Sequence, residues 1–412
     1  MFGFGDACTV VSKVKTWGWK GVRDAIYRAA ERRIVGRRIA RLVAQPPRHP
    51  VEKGITLVAD FTGQLGLSKT MRDFARMLRV AGIPFQVYDT RLKPEIPDED
   101  YRDYLTPPGE FDFHRYTHVV ELYRSLLPPS VREKKARIVF HESTSGLLAA
   151  APYLDTTDGI IGMSDFNVEY FRTELKRSKV FKIVYPFFKP SGTLTPRDEI
   201  RARHGIAPDD FVAFFNFDFG SYHRKNPMGT IRAFGKAFRD TPDAKLVFKT
   251  MHARHALDRV EELRAIAREA GVGNRFVMIN DYLSRAELNG LTNACDVYVS
   301  LHRAEGFGLG IAEAMSLGRP AVVTDWSANT EFCNAGNSIP VPYRIVPIKP
   351  GEYLECTKEW ADADVDAAAA ALRKLYDDPA LRADLGRKAK AFIEDHFSVA
   401  NFKRSVEAFL EA

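Results

Sequence analysis

The sequence predicts an α/β protein with two Rossmann-like domains. From Ile55 onward, short runs of β-branched and aromatic residues alternate with amphipathic helical segments. This alternation stops in a Pro- and Gly-rich stretch, residues 186–196, and then starts again. Continuous apolar strands that alternate with helices are typical of parallel sheets covered on both faces. The 412 residues are enough for two such cores, so two domains follow.

Each half of the pattern contains its own set of candidate strands. Those of the first domain are Ile55–Asp60, Ile83–Tyr88, His118–Glu121, Arg137–His141, Gly159–Met163 and Lys182–Tyr185. Those of the second are Phe211–Phe217, Lys245–Lys249, Phe276–Ile279, Val297–Leu301 and Pro320–Thr324. Ligands of open parallel sheets bind at the carboxyl ends of the strands, so the loops after these strands are where we look for chemistry.

Composition narrows the class of protein. No run of 18 apolar residues predicts a spanning helix, and the N-terminus has no continuous apolar signal region. The four cysteines, which are scattered and form no CxxC pair, fit reduced thiols and give no zinc knuckle. We therefore expect a cytoplasmic protein.

The charge is concentrated at the N-terminus. Residues 1–50 hold 11 of the 60 Lys and Arg but only 3 of the 53 Asp and Glu, a balance of +8 that leaves the remainder close to neutral. Nucleic-acid enzymes usually spread a basic stripe over their folded domains, so we expect no nucleic-acid partner. Trp17 and Trp19, together with the arginines, suit binding to the anionic surface of a membrane, here its inner face. A helix packed on the body and a disordered arm remain alternatives.

A glycine-rich loop follows the strand that ends near Leu301. Gly308, Leu309 and Gly310 would place free backbone N–H groups at the start of a helix, where an anionic group such as a diphosphate binds. Glu305 and Glu313 present two carboxylates there, which would repel a phosphate and therefore suit hydroxyl groups. An ordinary strand–loop–helix turn with solvated glutamates is the alternative.

A second polar segment, Asn216-Phe-Asp-Phe-Gly-Ser-Tyr-His-Arg-Lys-Asn-Pro227, follows the first strand of the second domain. Its Arg224-Lys225 pair opens a helix and can neutralise the charge on a departing diphosphate. An exposed basic turn is the simpler interpretation of such a pair.

Both segments resemble those of the family-four retaining glycosyltransferases of the GT-B fold. Glu305 and Glu313 match the Glu-x7-Glu motif of that family, with Gly-Phe-Gly-Leu before the second glutamate and the stretch Glu-Ala-Met-Ser-Leu-Gly-Arg-Pro starting at it. The other segment is similar to an Asp-x-x-Ser…Arg-Lys-Asn-Pro signature of one subgroup. The resemblance covers roughly residues 55–402. It implies two domains facing across a cleft, with a C-terminal helix that crosses back to the first domain.

The resemblance also assigns roles to residues. It implies that Glu305 contacts the donor sugar, that Glu313 holds the ribose and that Lys225 binds the diphosphate. Many members carry an arginine where this chain has Phe219, and we expect Arg224 to replace it. His141 matches the family's His-Glu pair that faces sugar and acceptor. The predicted catalytic residues are thus Glu305, His141, Lys225 and Arg224, and the predicted donor-binding residues are Glu313, Gly308, Leu309, Gly310, Gly66 and Ser221.

The predicted domains are a basic arm at 1–50, an acceptor domain at 51–190 completed by a helix at 395–412, and a donor domain at 197–394. The implied reaction moves a hexose from a GDP- or UDP-sugar to a glycan or lipid-linked acceptor in surface polysaccharide assembly, with mannose favoured. A sugar-nucleotide epimerase, a phosphorylase and a non-catalytic sugar-nucleotide-binding protein on the same scaffold are the rivals.

We expect no cofactor and no metal. Three Asp-x-Asp strings begin at Asp98, Asp362 and Asp364, but they fall in charged loops or at helix starts rather than at strand ends, as solvated or capping acids do. No cluster of ligating residues has metal-binding spacing.

Overall fold

The computed structural model describes residues 26–63, 66–96, 101–122, 126–188, 194–281, 283–353 and 357–412. It divides into two compact units. The first contains Met1–His141, Gly146–Phe187 and Phe397–Ala412, and the second contains Glu142–Ser145 and Phe188–His396. The predictions about Trp17, Trp19 and Asp98-Glu-Asp100 lie outside the described residues.

The described strands and helices alternate along most of the chain. The strands are β1 (Glu52–Ala59), β2 (Phe85–Asp89), β3 (Tyr116–Leu122), β4 (Lys134–Ile138), β5 (Gly159–Gly162), β6 (Lys179–Lys182), β7 (Phe211–Asp218), β8 (Ala244–Met251), β9 (Phe276–Ile279), β10 (Val297–Ser300), β11 (Ala321–Thr324), β12 (Ile339–Val341), β13 (Tyr343–Pro347) and β14 (Glu359–Ala363). The helices are α1 (residues 26–43), α2 (Gly66–Ala81), α3 (Leu147–Ala150), α4 (Asp165–Glu174), α5 (Arg197–Arg203), α6 (Tyr222–Lys225), α7 (Pro227–Phe238), α8 (Leu257–Glu269), α9 (Arg285–Ala294), α10 (Leu309–Ser316), α11 (Val365–Asp377), α12 (Pro379–His396) and α13 (Val399–Glu411).

The first unit is built on a six-stranded parallel sheet in the order β2-β1-β3-β4-β5-β6. The strands β1, β3 and β5 are largely buried, whereas the edge strands β2 and β6 are partly exposed. The last helix, α13, packs on α2, where the Phe402 and Phe74 rings meet edge to face at 5.3 Å. Ser405 Oγ also accepts a hydrogen bond from the Val184 amide at 3.1 Å. The predicted return of the C-terminal helix to the first domain is therefore confirmed.

The second unit has a parallel sheet in the order β12-β11-β10-β7-β8-β9, which is the strand order of the Rossmann fold. Its core is rich in aromatic side chains. The strand-borne rings of Phe215, Phe217 and Phe248 contact one another with centroids 5.4–5.7 Å apart. An antiparallel hairpin, β13–β14, is attached to this unit. The predicted class, an α/β protein with two Rossmann-like domains, is confirmed.

Helix α1 belongs to the first unit rather than to a separate arm. Val35, Ile39 and Val43 recur every four residues, so they lie on one face of the helix, and all three are buried. They pack into a cluster with Val58 of β1 and with Phe113 in the loop before β3. Glu31 fixes the helix further, since its Oε1 accepts the Leu92 amide at 2.9 Å. Of the three alternatives for residues 1–50, a helix packed on the body is correct for residues 26–43.

Two further predictions concern boundaries and membrane spans. The strands β4 and β6 each begin and end three residues earlier than predicted, so Phe140 and His141 lie in the loop after β4. No described helix has both the length and the apolarity needed to cross a bilayer.

Candidate active site

The candidate active site lies where the strand order of the second sheet reverses direction. Strands β7 and β10 are neighbours in the sheet, but the chain runs outward from them in opposite directions. The loops after their carboxyl ends therefore diverge and leave a crevice, which is where open α/β sheets bind ligands. Lys225 follows β7 and Glu305 follows β10, so the two predicted motifs meet at this point.

Asn226 explains how the first motif is built. It adopts a left-handed backbone (φ 51°), which ends α6 and starts α7. Its Oδ1 accepts the Gly229 amide at 3.1 Å, and its Nδ2 donates to the Leu301 carbonyl at the end of β10 at 3.0 Å. A Cβ on Gly229 would come within 2.6 Å of that side chain, so glycine is required there. Asn226 thus ties the loop that carries Lys225 to the loop that carries Glu305.

The glycines of the second motif let a helix start close to the sheet. Gly308 precedes α10 with φ 96°, a conformation that side chains rarely adopt. A Cβ on Gly310 would lie 2.5 Å from the Tyr298 hydroxyl and 2.7 Å from Asn216 Oδ1. The first amides of a helix, here those of Leu309 and Gly310, lack partners within the helix and can receive an anion.

Glu305 is the centre of a buried charge network. Its side chain is 7% exposed, and Lys225 Nζ donates to one carboxylate oxygen while Arg224 Nη1 lies 3.3 Å from the other. Arg224 also donates from Nη1 to the Ala304 carbonyl at 2.8 Å and pairs through Nε with Glu142 Oε2 at 3.0 Å. Two cations and two carboxylates thus alternate in one connected network, so each buried charge has an opposite partner.

The network sets the protonation of Glu305. Burial alone would raise the pKa of this carboxyl, but Lys225 and Arg224 outweigh burial and lower it to about 2. For Arg224, burial alone would lower the pKa. The carboxylates of Glu142 and Glu305 outweigh burial, and the pKa of Arg224 is raised above its ordinary value. Both groups are therefore charged at neutral pH.

His302 supports the same loop as a neutral imidazole. Burial lowers its pKa below the ordinary value. Its Nε2 faces the Asn329 Oδ1 at 2.9 Å and the Trp326 carbonyl at 3.2 Å, both of which accept. Nδ1 faces the Ser300 hydroxyl at 3.1 Å and the Ser300 carbonyl at 3.2 Å. A proton on Nε2 satisfies the two acceptors there and lets Ser300 Oγ donate to Nδ1.

Ser327 holds Glu305 through the backbone. Its Oγ accepts the Glu305 amide at 2.9 Å, and the residue has φ 73°, which is unusual for a residue other than glycine. Such strained positions tend to cluster at functional sites, where the surroundings fix them. Asn226 and His252 are the other positive-φ residues besides glycine among the described part of the chain, and both also follow strands of this sheet.

The other predicted residues of this unit occupy different places. Ser221 lies beside the network, since its Oγ accepts from Arg224 Nη2 at 3.4 Å. Glu313 projects from α10 toward α9, where Arg285 Nη1 lies 3.4 Å from its Oε1. Phe219, which occupies the position of the family's arginine, is buried and stacks on Tyr222. Four protein groups already receive the N–H donors of Arg224, namely the Ala304 carbonyl, the Ser221 hydroxyl and the carboxylates of Glu142 and Glu305.

Gly66 and His141 lie in the first unit. Gly66 is the exposed first residue of α2, whereas Gly63 is the tightly packed glycine of that loop, since a Cβ there would lie 2.6 Å from Ser68 Oγ. His141 is buried, stacks on Tyr170 with ring centroids 4.9 Å apart, and its carbonyl accepts from Asn167 Nδ2 at 2.6 Å. Roles for Gly66 and His141 in donor binding or catalysis stay predictions.

Asp362 and Asp364, two of the Asp-x-Asp acids, have structural partners. Asp362 pairs with Arg303 at 3.3 Å, and Asp364 caps α11 by accepting the Asp366 and Ala367 amides. The capping interpretation is thus correct for Asp364. Within the described ranges, no group of three or more His, Cys, Asp and Glu side chains could hold a metal ion.

Comparison with known proteins gives a family match to the second unit. Residues 196–392 match the family described as glycosyl transferases group 1. This segment, slightly less than half of the chain, is similar to a glycosyltransferase group 1 domain. Strands β7–β12 and both motifs of the charge network lie inside that domain, whose first residue directly precedes α5.

Relatives of the whole chain are distant. A D-inositol 3-phosphate glycosyltransferase of Pseudarthrobacter chlorophenolicus is 28% identical over 200 residues, which span 48% of this chain and 42% of that protein. Solved structures extend the likeness of the fold beyond the glycosyltransferase group 1 domain. A glycosyltransferase of Rickettsia africae (TM-score 0.64, 13% identity) covers 87% of this chain and 98% of its own. The Anabaena HepE protein in complex with UDP and glucose (TM-score 0.61, 15% identity) covers 87% and 100%. These likenesses confirm the GT-B fold.

Proposed function

We propose that this protein is a retaining glycosyltransferase that moves a hexose from a nucleotide-sugar donor to a glycan or lipid-linked acceptor. The observation that carries the proposal is the buried contact of Glu305 with Lys225 and Arg224 beside the start of α10. A cation, a carboxylate and free helix amides together suit a diphosphate and a sugar. The lysine and the amides receive the phosphates, and the carboxylate faces the hydroxyl groups.

In the proposed mechanism Lys225 is the group that meets the leaving diphosphate. Its side chain is 19% exposed, so Nζ can turn from Glu305 toward an incoming phosphate while Arg224 keeps Glu305 ionised. Preorganised charge of this kind stabilises a leaving group without reorganisation at the moment of reaction. Glu305 then screens the positive charge that develops on the sugar. Arg224 acts by holding Glu305, which modifies the role inferred from the sequence.

The remaining parts of the proposal rest on other observations. Metal independence rests on Lys225 and the α10 amides, which supply fixed positive charge where a cation would otherwise bridge the diphosphate. The family resemblance is the basis for four further parts: retention, mannose as the sugar, GDP as the nucleotide and a role in surface polysaccharide assembly. The HepE complex contains UDP and glucose, so uridine donors belong in every test. His141 and Gly66 are proposed contributions of the first unit.

Donor binding is expected to raise the melting temperature of the full chain. We expect one of GDP, UDP and ADP, or the corresponding nucleotide sugar, to stabilise the protein by RT ln(1 + [L]/Kd), about 2.7 kcal/mol at a hundredfold excess over Kd. The same nucleotide should leave the Lys225→Ala variant nearly unshifted. The assignment of the donor site to Lys225 would be wrong if no nucleotide raised the melting temperature of the wild type. It would also be wrong if one nucleotide raised the melting temperatures of wild type and Lys225→Ala equally.

We also propose that the N-terminal region contacts an anionic membrane. The face of α1 opposite Val35 and Ile39 carries Arg37 and Arg41, and Ile34 is 43% exposed. Each basic side chain near anionic lipid contributes about 1 kcal/mol, and exposed apolar residues can enter the interface.

Reversing charge on this face is expected to release the protein from anionic vesicles. Arg37→Glu/Arg41→Glu should reduce co-sedimentation with phosphatidylserine vesicles at least tenfold at low salt, because both side chains are exposed and the buried face of α1 stays intact. Lys374→Glu/Lys390→Glu, with the same charge change on α11 and α12, is the matched control. Equal loss in both double variants would mean that only net charge matters, and no loss in either would exclude α1.

A further inference from the structure

A cavity of about 600 Å³ lies in the first unit at the amino-terminal edge of its sheet. The first residues of β3 to β6 and the end of α13 form its walls. Because the strands are parallel, the loops that carry Gly66 and His141 leave the opposite edge. At about 3.3 Å per residue, strands of this length separate the two edges by roughly 15–20 Å. The cavity is therefore distinct from any site at the carboxyl edge.

Aromatic rings form the floor of the cavity. The Phe409 ring of α13 lies 5.1 Å from the Phe181 ring and 5.0 Å from the His118 imidazole. Burial, together with the nearby Lys134 and Lys53, lowers the pKa of His118 to about 4, so this ring is neutral at physiological pH. Gly159 leaves room for the Phe181 ring, since a Cβ there would lie 2.6 Å from it. The floor thus suits an apolar or aromatic group.

Basic side chains surround this floor. Lys134, Lys135, Arg177 and Lys179 all line the cavity, and no Asp or Glu side chain of the described residues lies within 4 Å of their charged nitrogens. Lys179 Nζ already donates to the backbone oxygen of Ala412, the last residue, at 3.2 Å. Lys134, Lys135 and Arg177 therefore supply the positive charge of the rim that no Asp or Glu side chain pairs.

The two carboxylates in the wall are already occupied by backbone amides. Asp155 accepts the amides of Arg177 and Ser178 at 2.8 and 3.0 Å, and also that of Lys176. Asp158 Oδ2 accepts the Lys135 amide at 2.8 Å. The Ser178 and Arg177 amides lower the pKa of Asp155, and the Arg177 guanidinium lowers it further, although neither carboxylate lies within 4 Å of a charged nitrogen of the four basic side chains. The N–H donors of Lys134, Lys135 and Arg177 are therefore available for a ligand.

We propose that this cavity binds a phosphate ester that carries an apolar or aromatic group. Its volume lies within the roughly 300–1,000 Å³ that is usual for small-molecule sites. The planar Arg177 guanidinium and the lysine ammonium groups match the three oxygens of a phosphate, which carry more charge than a carboxylate. The Phe181 and Phe409 rings receive the rest of the molecule. Since Phe409 belongs to α13, the ligand would also hold that helix to the sheet.

Phenyl phosphate, phenol and inorganic phosphate are the probes for this site, titrated calorimetrically into the full chain. We expect saturable binding of phenyl phosphate, at least tenfold tighter than that of either fragment compound. Lys134→Glu/Arg177→Glu should weaken phenyl phosphate at least tenfold, because both exposed cations become anions. Lys374→Glu/Lys390→Glu and Lys225→Ala should bind it as the wild type does. Amide exchange in α13 should slow when phenyl phosphate is present.

Three results would overturn the proposal. They are equal binding by the Lys134→Glu/Arg177→Glu variant, loss of binding in Lys225→Ala, and inorganic phosphate binding as tightly as phenyl phosphate. Melting temperatures of all variants within a few degrees of the wild type show that the comparison is made on folded protein. Lys225→Ala only reports whether phenyl phosphate binds at the donor site instead, and the Lys134→Glu/Arg177→Glu comparison does not depend on the role of Lys225, so the two proposals succeed or fail separately.

Discussion

Lys225→Ala is expected to lower kcat by about 10²–10³ while the protein stays folded. Removing one preorganised contact to a leaving group typically costs about 3–4 kcal/mol in the transition state. Lys225 is the last residue of α6, and its side chain is partly exposed, so no core packing is lost. Asn226 still fixes the loop, and Arg224 still pairs with Glu305.

The matched control for this prediction is Lys236→Ala. Lys236 lies on the neighbouring helix α7 and pairs with Asp366 at the surface, so its loss removes an equal charge without touching the network. Turnover is measured with the nucleotide sugar that stabilises the protein. Activity of Lys225→Ala within a few-fold of the Lys236→Ala control would defeat the assignment of Lys225 to the diphosphate.

Glu305→Gln is expected to lower both stability and activity. The change preserves shape but leaves Arg224 and Lys225 with Glu142 as the remaining carboxylate of the network. Breaking a buried ion pair by removing one partner costs about 3–5 kcal/mol, and the partial exposure of Lys225 places this case near the lower end. We expect the free energy of unfolding in urea to fall by about 3 kcal/mol and kcat to fall at least 100-fold.

The difference in the free energy of unfolding between wild type and Glu305→Gln should decrease as the pH falls. The pKa of Glu305 is about 2 in the folded state and near its ordinary 4.5 in the unfolded chain. A lowered pKa stabilises the fold fully above the unfolded value, and this stabilisation is lost as the pH falls toward the folded value. The gap between wild type and Glu305→Gln should therefore shrink from pH 5 to pH 3. Glu269→Gln, on the exposed face of α8, should show no such trend, and a constant gap would contradict the ionised network.

Much of this fold follows from local sequence pattern. The strands β7 and β9 begin at the residues that the apolar runs predict. A strand that is buried almost throughout, as β7 is, must be apolar on both faces, whereas β9 is a partly exposed edge strand whose run is apolar all the same. The strand β4 is different. It begins at Lys134, since the parallel register pairs Lys134 with His118 of β3, and polar residues at a sheet edge carry no hydrophobic signal.

The candidate site was only partly predictable for a related reason. The loops of Lys225 and Glu305 could be placed together, because both follow strands of one parallel sheet. The contact of Glu142 with Arg224 could not be predicted, since it joins residues far apart in sequence and no local pattern indicates such a pair. Tyr353, whose hydroxyl donates to Glu142 at 2.5 Å, was missed for the same reason. His302 directly follows the predicted strand Val297–Leu301, and that position was the available signal.

Helix α1 shows how one segment can contain two patterns. Its arginines dominate the composition of residues 1–50 and suggested a charged arm. The four-residue spacing of Val35, Ile39 and Val43 is the weaker signal, yet it decides the packing, because burying three aliphatic side chains yields several kcal/mol. Arg37 and Arg41 are exposed on the opposite face and can serve a surface role.

Turnover in excess EDTA, followed by proton NMR of the product, tests the central claim most directly. The full chain is incubated with the stabilising nucleotide sugar and a range of glycan and lipid-linked acceptors. We predict release of the nucleoside diphosphate in EDTA, an anomeric configuration equal to that of the donor, and loss of turnover in Lys225→Ala and Glu305→Gln. Donor binding without turnover for any acceptor would indicate a sugar-nucleotide-binding protein. Rescue by manganese after EDTA, or an inverted product, would contradict the proposed mechanism.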